Sequence, residues 1–136
     1  MSKIFSTRFN PTSVNFSLLI LRVATGSFML THGYPKLQKL LAGDFQFADP
    51  FGLGSGVSLG MAVFAEFFCS ILLILGLGTR LATIPLIVTM AVAAFIAHGN
   101  DPFARKEMAL LYLVSFIVLL FSGAGKISVD QLLGKR

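Results

Sequence analysis

Six side chains in this sequence have the chemistry to hold a polar molecule and exchange protons with it: Arg22, His32, Lys36, Glu66, His98 and Glu107. The carboxylates Glu66 and Glu107 are candidate proton acceptors and donors. The cations and imidazoles of Arg22, His32, Lys36 and His98 are candidate hydrogen-bond donors to a carbonyl oxygen. Their surroundings make them unusual. Glu66 sits inside "MAVFAEFFCS", Met61 to Ser70, with only apolar and small neighbours. Arg22 interrupts an equally apolar run. A charge at a bilayer centre costs about 2.5–3.5 kcal/mol even on a lenient scale, so such residues call for a partner or a function.

The medium follows from composition. Of 136 residues, 55% are hydrophobic and 12% charged, and the mean hydropathy is +0.83. Soluble domains carry about 25% charged residues, and a chain this short has no core large enough to hide so much apolar surface. Four stretches, residues 14–34, 57–77, 81–97 and 102–122, each run roughly 17–21 residues, near the ~20 that cross a bilayer. The expectation is a single all-α integral membrane domain over residues 1–136, a transmembrane four-helix bundle with antiparallel neighbours. Lys3 and Arg8 before the first apolar run would also suit a secretory signal. Arg22 breaks that run and no A-x-A-like site follows, so a retained helix is expected. The net charge of +5 points to a cytoplasmic lipid face rather than to nucleic acid, for no basic run is interleaved with aromatics. Cys69 is the single cysteine, which leaves no intramolecular disulfide and no C-x-x-C pair. It reads as a packing residue.

The connections are legible too. Asn10-Pro11 marks a helix start. "LAGDFQFADPFGLGSG" is a loop whose Phe45, Phe47 and Phe51 suit a membrane surface or a cap on the bundle. "GLGTR" is short enough to make the second and third helices antiparallel neighbours. In "HGNDPF", Gly99 reads as a terminator, Asp101 as an N-cap and Pro102 as the first residue of the fourth helix. Ser128 and Gln131 form a capping-box pattern for a short terminal interfacial helix. Pro35 removes the amide that would bond the Thr31 carbonyl, which predicts a kink or break in the first helix. With the termini on one side, Lys3, Arg8, Arg80, Lys126, Lys135 and Arg136 face Lys36, Lys39, Arg105 and Lys106. That six-to-four balance favours cytoplasmic termini in an inner (cell) membrane.

Depth suggests how the two intramembrane charges meet. Glu66 lies nine residues after Val57, about 14 Å in, and Arg22 lies ten residues before His32, about 15 Å from the same side. An Arg22–Glu66 ion pair is therefore expected. Arg22, Gly26, Met29, Gly33 and Lys36 share one helical face, and its glycines allow a neighbour to approach closely. His32, Lys36, His98, Asp101 and Glu107 gather toward one membrane face, so the bundle is expected to enclose a polar pocket there. The plainer alternatives stay open. The ion pair could serve only register, His32, Lys36 and His98 could be interfacial, and Arg80 is most simply a topology anchor.

"LRVATGSFMLTHGYPKL", "AEFFCSILLILGLGTRLA", "FIAH", a Glu opening the last span and "GAGKISVD" follow one another in an order that resembles the DoxX family of small four-helix membrane proteins. Arg22, His32, Gly33, Lys36, Glu66, Arg80, Glu107, Gly123, Gly125, Ser128 and Asp130 fall on its recurring positions. The closing motif departs from the family's G-P-G with an aromatic, reading Gly123-Ala124-Gly125 with Ile127. The resemblance implies a part in a membrane oxidoreductase system linked to quinones.

Three functions remain on these grounds. The first is a membrane subunit that binds a quinone or quinol, with Glu66 and Glu107 exchanging protons and Arg22, His32, Lys36 and His98 binding substrate. No nucleotide-binding glycine motif, haem-attachment site or cysteine cluster appears, so electrons would come from a soluble or membrane redox partner. The second is an assembly anchor without chemistry. The third is a small transporter or proton pathway, which four spans without repeats disfavour unless the chain forms a homodimer. Haem or metal ligation by His32 and His98 is disfavoured by the lack of a C-x-x-C-H site or of His pairs at helical spacing.

Overall fold

In the computed structural model, which describes residues 3–134, Asn10 starts the first long helix. Its side-chain oxygen accepts from the amides of Thr12 (3.0 Å) and Ser13 (3.3 Å), and Pro11 occupies a position where its missing N–H costs nothing. Helix α1 then runs Pro11–Leu41. It passes through Pro35 without the expected break. Thr31 and Pro35 both lie on the exposed side of the helix, so the carbonyl left without its amide sits away from the packed interface.

Helix α2, Ser55–Leu75, widens into π-type turns over Phe64–Cys69, a local geometry common at functional sites. It ends at Gly76, whose φ of +72° places it in the left-handed region open to glycine. Helix α3, Thr79–Ala97, widens in the same way over Ala93–Ala97. Helix α4 covers Phe103–Ser122 and the short α5 covers Val129–Leu133. Ser128 caps α5, its Oγ accepting from the Gln131 amide at 3.2 Å. Among the described residues there is no strand.

The expected start of α4 is corrected. Pro102, not Asp101, is the capping residue, and it offers no side-chain bond. Asp101 is drawn away by His98 instead, as described below. Lys135 and Arg136, two of the cations used to orient the termini, lie outside the described residues, as does the side chain of Lys3.

The helices pack as α1 against α2 and α3 against α4, with α3 also meeting the inner half of α2. Met29, Cys69, Leu73, Leu86, Met90, Phe116 and Leu119 form the buried core. The outer faces are apolar: Phe28, Phe64, Leu81, Phe95, Leu111 and Phe121 all point outward. Water would make that surface a large liability, whereas lipid makes it the preferred one. Three helices, α1, α2 and α3, are long and apolar enough to cross a membrane. Helix α4 is also 20 residues long, but Arg105, Lys106 and Glu107 crowd its first two turns.

Candidate functional site

Gly33 sets the geometry of the site. A Cβ there would lie 2.5 Å from the Glu66 carbonyl oxygen and 2.8 Å from the Phe67 amide nitrogen. Only glycine lets α1 and α2 touch backbone to backbone at this level. One turn further along α1, Lys36 reaches across and its Nζ donates to both Glu66 carboxylate oxygens at 2.6 Å. Glu66 is 1% exposed, while the Lys36 side chain keeps 29% of its surface. A buried carboxylate is thus neutralised by a cation whose head faces open space.

That space is a cavity of about 490 Å³, within the ~300–1,000 Å³ range of small-molecule sites. Lys36 and Glu66 form its polar end; Met61, Ala62, Val88, Met90 and Ala93 are among its apolar walls, and His98 stands at its rim. Both widened helix segments contribute to it. The loop after α1 roofs it. Asp49 accepts from the Leu53 and Gly54 amides (3.0 and 2.9 Å) and from Ser58 Oγ (2.9 Å), tying the loop to the start of α2. Phe47 lies with its ring centre 5.7 Å from Lys36 Nζ, within cation–π range.

His98 Nδ1 lies 2.7 Å from Asp101 Oδ2. That hydrogen bond, opposed by burial and supported by the positive charges of His98, Arg105 and Lys106, holds the Asp101 carboxyl below the usual carboxylate range. An ionised carboxylate only accepts, so the proton of a neutral His98 sits on Nδ1 and Nε2 becomes an acceptor. That bond fixes the orientation of the imidazole.

The expected Arg22–Glu66 pair does not form. Arg22 is 2% exposed, but its Nε, Nη1 and Nη2 donate to the carbonyls of Leu73 (2.7 Å), Ala124 (2.6 Å) and Ile127 (2.8 Å). The cause lies in helix length. Because α1 continues to Leu41, the level of Glu66 is met by Gly33 and Lys36, and Arg22 lies eleven residues before Gly33, ~16 Å along the axis. Two other candidates also stand apart from the cavity. His32 is half-buried and packs edge-on against Tyr112, with centroids 5.9 Å apart. Glu107 is exposed at the start of α4 and, among the described residues, forms no ion pair. Lys36, Glu66 and His98 are the sequence candidates that line one space.

Arg22 belongs to a second cluster at the opposite end of the bundle. Asp130 accepts from the Gly78 and Thr79 amides (2.7 and 3.0 Å), capping α3 from the C-terminal segment. Burial pushes its carboxyl up, but the amides of Thr79 and Gly78 and the Arg22 charge outweigh that and hold it below its usual range. The Lys126 amide donates to Asn15 Oδ1 at 2.9 Å, and the Asp130 amide donates to the Gly76 carbonyl at 2.8 Å. The "GAGKISVD" segment is therefore a latch across the ends of α1, α2 and α3. Sequence reading missed Asn15 and Asp49 as members of these clusters, the Asp49-Pro50 pair being the visible signal for the second; Phe47, expected at a membrane surface or as a cap on the bundle, lies over Lys36.

The DoxX family model matches residues 17–99. An uncharacterized protein of Haemophilus influenzae is 36% identical over 132 residues, which cover 89% of this chain and 93% of that one. An uncharacterized membrane protein of Mycobacterium tuberculosis is 29% identical, covering 88% of this chain and 83% of its own. A Bacillus subtilis protein named "Putative oxidoreductase CatD" is 29% identical, covering 90% and 91%. No solved structure matches. The matched stretch contains Arg22, Gly33, Lys36, Glu66 and His98, and with a relative of 36% identity over nearly its whole length, this chain is a membrane protein of the DoxX family.

Proposed function

We propose that this protein is the small-molecule-binding subunit of a membrane oxidoreductase system, and that its ligand is a quinone or quinol held at Lys36 and Glu66. The observation that carries this reading is the doubly bonded Lys36–Glu66 pair at the polar end of a largely apolar cavity. A quinone needs both halves of such a site: an apolar enclosure for the ring and a donor for its carbonyl oxygen. Reduction to quinol takes two electrons and two protons. Lys36 positions one carbonyl oxygen, Glu66 passes that oxygen one proton, and His98 at the rim passes the second proton to the other oxygen. The electrons come from a partner protein. The name carried by the Bacillus subtilis relative agrees with this reading.

In this account all four long helices form a transmembrane bundle. Helix α4 crosses with Arg105, Lys106 and Glu107 at the headgroups and Met108–Ser122 in the hydrocarbon. The latch end is cytoplasmic: Lys36 is committed to Glu66, so the charge balance by side tilts further toward the termini. Quinone retained by the purified protein tests the binding claim. Lys36→Ala and Glu66→Gln are expected to lower retention tenfold or more, while folded Arg22→Lys protein retains as much as the parent. Equal retention in all variants would favour a purely anchoring role.

A further inference from the structure

The cavity is roofed by the loop after α1 on one side and bordered by exposed apolar side chains of α2 and α3 on another. On the loop side, Asp49 closes the roofing loop on itself by accepting from the Leu53 and Gly54 amides and ties it to α2 by accepting from Ser58 Oγ, and Phe47 covers the Lys36 head. Sideways the arrangement differs. Helices α2 and α3 touch along Phe64–Leu75, whereas the outer part of α2, Ser55–Val63, packs chiefly on α1, and the cavity occupies the cleft between Met61–Ala62 of α2 and the outer part of α3. The walls of that cleft end in Met61, Val88 and Ile96, which are 50%, 50% and 51% exposed on the apolar outer surface.

We propose that the occupant reaches this site from the bilayer through the α2–α3 cleft: an amphiphile with one compact hydrogen-bonding head and an apolar tail. The head meets Lys36 and Glu66, and the tail leaves between Met61 and Val88 into lipid. Three features support that occupant. Lys36, Glu66 and His98 offer polar partners to a head group, whereas Met61, Ala62, Val88, Met90 and Ala93 offer a tail only apolar contact, so a polar group at the tail's far end would be stranded. Thr89 and Ser58, the hydroxyls in the lining, are already committed to Pro85 O and Asp49. A tail in the cleft also stays in hydrocarbon throughout, so binding requires desolvation of the head alone. This inference rests on the ligand reading above and adds the route and the shape of the ligand.

The test uses the full chain in lipid nanodiscs and two probes: a tail-less benzoquinone, and a benzoquinone with a long alkyl tail carrying a diazirine near the ring. Light-induced label from the tailed probe is expected within the cleft, on Met90 and Ala93. Val88→Trp and Ala93→Trp fill the cleft from its lipid-facing mouth and from its wall; each is expected to lower that label at least tenfold and to lower retention of the tail-less probe, which has no tail to thread through the cleft, several-fold less. Val88 faces lipid, so its variant keeps the test available if Ala93→Trp does not fold. Unchanged label in folded Val88→Trp protein, or label confined to Phe47–Phe51, would overturn the lateral route and leave the site itself standing. Retention of neither probe by the parent protein would overturn the ligand reading and the route together.

Discussion

Replacing Lys36 by Met keeps the length of the stem and removes the charge. Glu66, almost wholly enclosed, then loses the Nζ that bonds both of its oxygens at 2.6 Å. Removing one partner of a buried ion pair costs about 3–5 kcal/mol, chiefly because the remaining charge is stranded. The Lys36 side chain borders the cavity rather than packed protein, 29% exposed, which places the loss near the lower bound, about 3 kcal/mol or roughly a hundredfold in the unfolding equilibrium. Adding Glu66→Gln removes the stranded charge and is expected to restore about 2 kcal/mol, a coupling within the range of directly touching residues. Reversible unfolding in mixed micelles, followed by far-ultraviolet circular dichroism, closes the double-mutant cycle. If Lys36→Met changes stability by less than ~0.5 kcal/mol, the level of a neutral surface substitution, or if the two substitutions simply add, the pair is not the unit described here.

The helix contacts make further predictions. Gly33→Ala would drive a Cβ to within 2.5–2.8 Å of the α2 backbone, so the helices must separate, with a loss of about 1–3 kcal/mol from overpacking and weaker quinone retention in the same variant; unchanged melting would contradict the close approach. Arg22→Leu leaves the Ala124 and Ile127 carbonyls without their donor, at about 1–3 kcal/mol for each buried group, and limited proteolysis is expected to cut first near Lys126. Because the Asp130 carboxyl is depressed in the fold, its contribution is complete above the unfolded value of about 3.9 and fades as pH falls through the lower folded value. Asp130→Asn should therefore flatten the acid limb of a pH–stability profile below about pH 4, and an acid limb identical to the parent's would remove the latch role.

The sequence made the main chemistry visible but misassigned its partner. Glu66 inside "MAVFAEFFCS" required a compensating charge in lipid, and Lys36 stood on the same stripe as Gly26 and Gly33, which marks the face turned toward α2. The signal that would have found the pair was the glycine spacing: the closest approach at Gly33 brings Lys36, one turn on, beside Glu66. Ending the first helix near Tyr34 because of Pro35 hid this, since it moved Arg22 to an apparent depth it does not have. The role of Arg22 was not legible from side-chain patterning at all. Its acceptors are backbone carbonyls, one of them 102 residues away in the chain, and any residue type presents a carbonyl. Asp101 failed as a cap for a related reason: a neighbouring imidazole at His98 competed for its carboxylate, and helix capping rules do not register that competition. Where local geometry decides, as at Asn10-Pro11 and Ser128-x-x-Gln131, the pattern and the fold agree.

Solid-state NMR on bilayer-embedded protein, with the Lys36 ammonium nitrogen and the Glu66 carboxyl carbon labelled, reads this partnership directly. Strong dipolar coupling between those two nuclei, with none from the Arg22 guanidinium to Glu66, is the expected result. Coupling from Arg22 to the Glu66 carboxyl, or a Lys36 ammonium coupled only to water, would contradict it.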